Sequence, residues 1–416
     1  MKKLLLIFIV SLQISAQSKI LIYMDNTQTD HLKAYGIAFN ALVQGYKGDW
    51  LLNYRGGSFM FDYSEELALR CRLKGVAFEK ISSQQAVSIY AFVQSPDQNM
   101  DVVRLEKAPK IAVYVPPNFK PWDDAVTLAL DYAEVPYDKI WIAEILGGAL
   151  DKYDWLHLHH EDFTGQYGKF YASFSSAPWY IEQQRLYESE AQKLGFKKVS
   201  DMEKAVVLEI RNYIARGGFL FAMCSATDSY DIALAALRVD IVDRIYDGDP
   251  PDPDAQNKLD FSETLAFENF KLEMNPLIYE YSDIDIQPAE VGPEQNDYFT
   301  LFDFSAKYDP VPTMLTQNHV NVIHGFMGQT TMFRKSLIKK SVYILAEREG
   351  ADQVKYIHGN YGRGTFTFYG GHDPEDYQHA VGDPPTDLSF HKNSPGYRLI
   401  LNNILFPAAK KKKQKT

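Results

Sequence analysis

The stretch from Asp201 to Leu237 constrains the fold of this chain more than any other. Asp201 to Arg216 carries apolar residues at helical spacing, and Gly217-Gly218 breaks that pattern. Phe219 to Met223 is then a continuous apolar run of strand length, and helical periodicity resumes over Asp228 to Leu237. A strand with no polar alternation is buried on both faces, and helices before and after it are what cover those faces. The same alternation recurs nearby. Ile111 to Val115, Lys139 to Ile145 and Tyr153 to His159 read as strands, and Trp122 to Ala133 reads as a helix. The expected fold is therefore α/β, with a doubly wound, mostly parallel sheet.

Upstream, Lys19 to Met24 and Trp50 to Tyr54 read as strands, and Asp30 to Val43 and Glu65 to Lys74 as helices. They form an N-terminal β-α-β-α unit over 17–108, suited to a parallel arrangement. The main domain is expected over 109–407. It is interrupted at about 247–320 by a loop-rich insertion, where the prolines of Asp249-Pro250-Pro251-Asp252-Pro253-Asp254 forbid regular structure. Beyond the insertion, Ser341 to Glu347 reads as a strand. Lys355 to His358 and Thr365 to Tyr369 form a hairpin-like pair, Pro395 to Leu405 a terminal helix, and 408–416 a basic tail.

Residues 1–16 have the form of a cleavable signal peptide. Lys2 and Lys3 precede the apolar run Leu4 to Leu12, and Ile14-Ser15-Ala16 ends in a small residue. The run is too short to span a bilayer, which takes ~20 apolar residues, so no membrane span is expected and the mature chain is read as periplasmic or secreted. Net charge is −11 over 416 residues. That excess of acid argues against nucleic acid as a partner, since phosphate binding needs a basic face. Only two cysteines occur, Cys71 and Cys224. Either they pair with each other, or at least one is kept as a thiol for chemistry.

The strongest chemical signal lies at Cys224. In Ala222-Met223-Cys224-Ser225-Ala226 a cysteine at a strand tip has small residues two before and two after it. A nucleophile elbow needs this, because the tight strand-to-helix turn crowds the backbone. A cysteine at a helix N-terminus also has its thiolate favoured by the helix dipole. The alternative is a buried structural cysteine. A second signal, Tyr369-Gly370-Gly371-His372-Asp373-Pro374-Glu375, follows a late apolar strand and offers a histidine with nearby carboxylates.

On these residues the chain from about Lys110 to Pro407 resembles the class I glutamine amidotransferase superfamily, in particular its trehalose-utilisation-type branch. The resemblance implies a flavodoxin-like sheet, with Cys224 as nucleophile, His372 as base and Glu375 as the group orienting the base. Two positions differ: the elbow has alanine where the amidotransferases have glycine, and Asp373 adds a residue between His372 and Glu375. Asp373 is therefore a substitute orienter.

The family builds its oxyanion loop where this chain has His157-Leu158-His159-His160-Glu161-Asp162-Phe163-Thr164-Gly165. Polar residues at such a strand end line the ligand crevice, so His159, His160, Glu161, Thr164, Gly165 and Ser225 are candidate substrate contacts, with amides near Thr164 and Gly165 stabilising an oxyanion. A metal site joining His159, His160, Glu161 or Asp162 to His372 is the less favoured reading, because the spacing matches no established motif. The loop Asp247, Asp249, Asp252, Asp254 offers oxygens of the kind calcium takes, but without EF-hand spacing it reads as a solvated loop. Asn53 to Ser58 and Asp25 to Asp30 read as a second crevice, or as a turn and a helix cap.

Over its whole length the chain is also similar to exported bacterial proteins labelled asparagine synthetase B. The synthetase chemistry is absent: position 2 is lysine, and no Ser-Gly-Gly-x-Asp-Ser loop occurs. Two functional readings follow. One is an exported cysteine-dependent amidohydrolase, acting on an amide or related acyl substrate without a cofactor. The other is a non-catalytic protein binding a sugar, glycan or other small envelope ligand at the same strand ends.

Overall fold

The computed structural model describes residues 18–117, 123–309 and 313–410. The leader expected over 1–16 and all but the first three residues of the basic tail lie outside them. Among the described residues fifteen strands fall into two sheets. The first holds β1 (Lys19–Ile22), β2 (Gly48–Leu52), β3 (Ser58–Asp62), β4 (Glu79–Ile81) and β5 (Asp101–Leu105), in the order β4-β1-β3-β2-β5. The second holds β6 (Ile111–Tyr114), β7 (Asp138–Ile140), β8 (Trp155–Leu158), β9 (Phe219–Met223), β10 (Tyr298–Leu301), β11 (Val322–His324), β12 (Phe333–Arg334), β13 (Tyr343–Glu347), β14 (Gln353–Tyr361) and β15 (Gly364–Tyr369). Its order is β11-β10-β13-β14-β15-β9-β8-β6-β7, with β12 added to β14.

This corrects the expected fold class, a mostly parallel flavodoxin-like sheet with a β-α-β-α unit suited to parallel pairing. The first sheet is antiparallel at every pairing. The physical reason lies between β2 and β3. A parallel crossover needs a dozen or more residues, whereas Asn53 to Gly57 reverse the chain in a tight turn. Asn53, Arg55, Gly56 and Gly57 all take positive φ. At Gly56 a β-carbon would stand 2.2 Å from the Met24 carbonyl oxygen, so the turn both bends left-handed and touches the neighbouring strand. Asn53 to Ser58 is thus the turn of a hairpin, and Asp30 caps the helix His31–Val43 through the Lys33 amide at 2.8 Å.

The second sheet is mixed. β7, β6, β8, β9 and β15 run parallel, while β14, β13, β10, β11 and β12 extend it antiparallel. The central strands β8 and β9 are buried along their whole length, which is why they read as unbroken apolar runs. Strands β10 to β13 are two to five residues long and no long helix separates them. Strand β10, inside the segment read as a loop-rich insertion, therefore adds to the sheet, paired antiparallel with β11 and β13.

The two sheets share a core. Helices His31–Val43, Ala125–Ala133 and Pro395–Leu405 pack on one another and join one buried cluster that holds Trp50 and Phe59 of the first sheet and Val113, Phe221 and Met223 of the second. Val199–Arg216 covers the opposite face of the second sheet, burying Met202, Val206, Ile210 and Ile214 on one stripe. Among the described residues no helix is long and apolar enough to cross a membrane.

Candidate active site

Strand β9 runs directly into Cys224, whose φ of 50° is the strained left-handed geometry of an elbow. The helix Ala226–Ala235 begins directly after it, with Ser225 as N-cap. Every residue of that helix is buried, and its polar side chains pin the loops that surround the cysteine. Ser229 donates to the Glu161 carbonyl at 2.9 Å, Asp228 accepts from the Thr330 hydroxyl at 2.8 Å, and Asp231 accepts from the Leu265, Ala266 and Phe267 amides.

Two loops close over the thiol. The Gln329 amide donates to Cys224 Sγ at 3.3 Å, and the Thr330 amide also reaches it. The loop carrying these amides packs against the loop after β15: His372 donates its amide to the Met327 carbonyl at 2.8 Å, and Gly371 donates to Thr330 at 2.7 Å. A β-carbon at Gly328 would lie 2.7 Å from the His372 amide nitrogen, so only glycine permits this approach. The buried Lys355 ammonium holds both ends of the loop through the Phe326 and Thr331 carbonyls.

His372 is buried, and its ring acts on the Cys224 thiol. Its Nδ1 meets His159 Nε2 at 3.0 Å, and its Nε2 stands 3.8 Å from Asp123. Burial alone would lower the imidazole, but Asp123 and the Cys224 sulfur reverse this and push it up to about 10. Burial likewise raises the Cys224 thiol, yet the His372 bond and the two amides outweigh it and leave the thiol lowered. The pair is thus poised towards thiolate and imidazolium. Asp123 also pairs with His379 Nε2 at 2.9 Å, and His379 stacks on His372.

The expected site residues divide between this constellation and its surroundings. Cys224, His372, His159 and Ser225 converge. His160 and Glu161 line a neighbouring cavity of about 460 Å³ with Asp123, Asp124, Tyr114 and Tyr137. Burial, reinforced by Asp124, pushes the Glu161 carboxyl up to about 8, and its side chain accepts the His159 amide at 2.7 Å. Glu375 sits elsewhere, paired with His391 at 2.8 Å, and Asp373 is turned to the Glu375 amide and the Thr386 hydroxyl. The carboxylate facing His372 is Asp123. The Thr164 amide is held by Asp162, which also accepts from the Gln166 and Gly168 amides, so this part of the loop is braced from within.

Sequence reading passed over Asp123, Asp124, Gln329 and Thr330. Asp124 caps the helix Ala125–Ala133 through the Val126 and Thr127 amides and accepts from His157 at 3.2 Å. An acidic pair opening a helix after a buried strand was the available signal. The amides of Gln329 and Thr330 left none, because backbone groups carry no residue signature. Two carboxylates of the acidic stretch read from the sequence, Asp247 and Asp249, are taken up by a cation of the chain itself: Lys198 meets Asp240, Asp247 and Asp249 at 2.6, 3.0 and 2.6 Å. Cys71 and Cys224 are both free thiols.

Fold and site together define an α/β protein with a Cys-His-Asp constellation at the carboxyl ends of parallel strands. No family model and no curated protein matches the chain. Among solved structures it is similar to the cytoplasmic protein STM1381 from Salmonella typhimurium LT2, at 13% identity and TM-score 0.35, over 72% of this chain and 100% of that one. A second cytoplasmic protein of Salmonella typhimurium, STM3548, matches at 11% identity and TM-score 0.35, over 73% and 100%. The GH42 β-galactosidase Gan42B matches at 11% identity and TM-score 0.28, over 64% of this chain and 28% of its own.

Proposed function

We propose that the chain is a cysteine-dependent hydrolase of an amide or related acyl substrate. The observation that carries this reading is the strained elbow placing Cys224 against His372, with Asp123 behind the imidazole. The Cys224 thiolate adds to the acyl carbon, and the oxyanion is stabilised by the backbone amide of Ser225, the residue next after the nucleophile. The carbon–nitrogen bond then breaks, and the amine leaves with a proton from the His372 imidazolium. Water attacks the thioester, His372 takes its proton, and acid and free thiol are released. The class I glutamine amidotransferase resemblance supports the same roles for Cys224 and His372, with Asp123 in the place expected of Glu375. Export through a signal peptide at 1–16 belongs to this proposal, as does a small-molecule or glycan substrate from the cell envelope.

The test is ammonia or amine release from a panel of glutamine-type amides. Wild-type protein should turn over at least one, and Cys224→Ala should fall by at least ~100-fold. Equal activity in the two proteins would overturn the mechanism. A folded wild type inert on the panel while binding a saccharide would favour the non-catalytic reading, for which the cavity beside His160, with tyrosines and carboxylates in its wall, is the supporting observation.

A further inference from the structure

His159, His160 and His372 each present a ring nitrogen within 4.8 Å of the other two. His159 and His160 follow directly on β8, and His372 comes from the loop after β15, so the sheet order brings them together from distant sequence. Two of the three are arranged as metal-ligating imidazoles usually are. His159 Nε2 and His372 Nδ1 face each other at 3.0 Å, and a carboxylate stands behind the far nitrogen of each ring. Asp124 lies 3.6 Å from His159 Nδ1, and Asp123 lies 3.8 Å from His372 Nε2. Carboxylates in that position set the tautomer and strengthen the ligand. Two nitrogens on a tetrahedral zinc at ~2.05 Å are about 3.3 Å apart, so the facing pair needs to open by only a few tenths of an ångström. His160 lines the cavity of about 460 Å³, which gives an ion a way in.

We propose that His159, His160 and His372 form a three-nitrogen site for one zinc-class divalent ion. The ion takes His372 as a ligand and so withdraws it from Cys224, switching off the thiol chemistry. The binding claim stands on the histidine geometry, and only the switching consequence rests on the hydrolase reading. No bond to carbon is made or broken. Proton balance needs only the loss of any proton shared between the facing nitrogens.

The experiment titrates chelator-treated full-length protein with Zn²⁺, counts bound ion by elemental analysis after dialysis, and follows Cys224 alkylation by iodoacetamide. One ion per chain is expected. Cys224→Ala should bind like the wild type, whereas His160→Ala should weaken binding by well over ~10-fold and Asp124→Asn by ~10–100-fold. Circular dichroism of His160→Ala checks that the fold is kept, and His160 lies at the cavity wall, where alanine is tolerated best. Zn²⁺ should slow alkylation in the wild type and not in His160→Ala. Absence of stoichiometric zinc, or unchanged binding in His160→Ala, would overturn the site. So would loss of binding in Cys224→Ala, or loss in His379→Ala with His160→Ala unaffected, since either places the ion on other ligands. Zinc bound without slower alkylation would overturn the switch. Zinc binding in a protein inert on every amide would leave the site standing while the hydrolase reading fell.

Discussion

Cys224 and Cys71 have the same side chain and the same burial, yet their chemistry should differ sharply. Cys71 lies in the helix Glu65–Lys74, where burial pushes its thiol up to about 12. Cys224 has an imidazole and two amides aimed at it. Iodoacetamide should therefore label Cys224 in the native protein and leave Cys71 untouched, as peptide mass spectrometry will show. Labelling of Cys71 at a comparable rate would contradict the account. Lys355 offers a second residue-scale prediction. Burial pulls its ammonium down to about 7, against the opposing charges of Asp297 and Asp285. A lowered folded-state value means that stability is present in full above the ordinary lysine value and is lost as pH falls towards 7. The stability of the wild type relative to Lys355→Met, measured in urea, should therefore rise between pH 7 and pH ~10. At this scale the sequence was legible where a side chain announced itself. The small-residue elbow identified Cys224 and the strand end identified His372. Asp123 was hidden because its partner lies hundreds of residues away and no local spacing links them.

Elements were legible where a helix or a fully buried strand spoke through its own periodicity. The helix Val199–Arg216 and strand β9 are examples. Pairing direction was harder to read, because it is set by connections rather than by strands. Between β2 and β3 the residues Asn53 to Gly57 were read as a turn or a crevice loop, and their left-handed geometry decides that the sheet is antiparallel. Gly56→Ala should therefore cost at least ~1–2 kcal/mol, since it pays for both positive φ and a clash with the Met24 carbonyl. Urea denaturation measures this, and an unchanged midpoint would contradict the turn geometry. The cap of the helix Ala125–Ala133 carries a related prediction. Asp124→Ala removes the acceptor for two amides and the partner of His157 together, so it should cost ~1–2 kcal/mol or more.

For the whole molecule, the two sheets are separate in hydrogen bonding and continuous in packing. Arg398, fully buried on the terminal helix, joins them by donating to the Met24 carbonyl at 2.8 Å, to Gly56 and to Tyr35. A shared core of this kind predicts one cooperative unfolding transition rather than two. Arg398→Met should lower its midpoint, because each buried carbonyl left without a donor costs ~1–3 kcal/mol. Calorimetry showing two well-separated transitions in the wild type would contradict that picture. The sequence could not show this arrangement, since the helices of that core come from the beginning, middle and end of the chain.

The proposed role of this architecture is to hold Cys224 as a nucleophile. Its most direct test is to quench the protein with acid during reaction with p-nitrophenyl acetate and weigh the tryptic peptides. An acetyl group is expected on Cys224, formed far faster in the wild type than in His372→Ala and never on Cys71. Acetylation that is absent, or equally fast without His372, would contradict it.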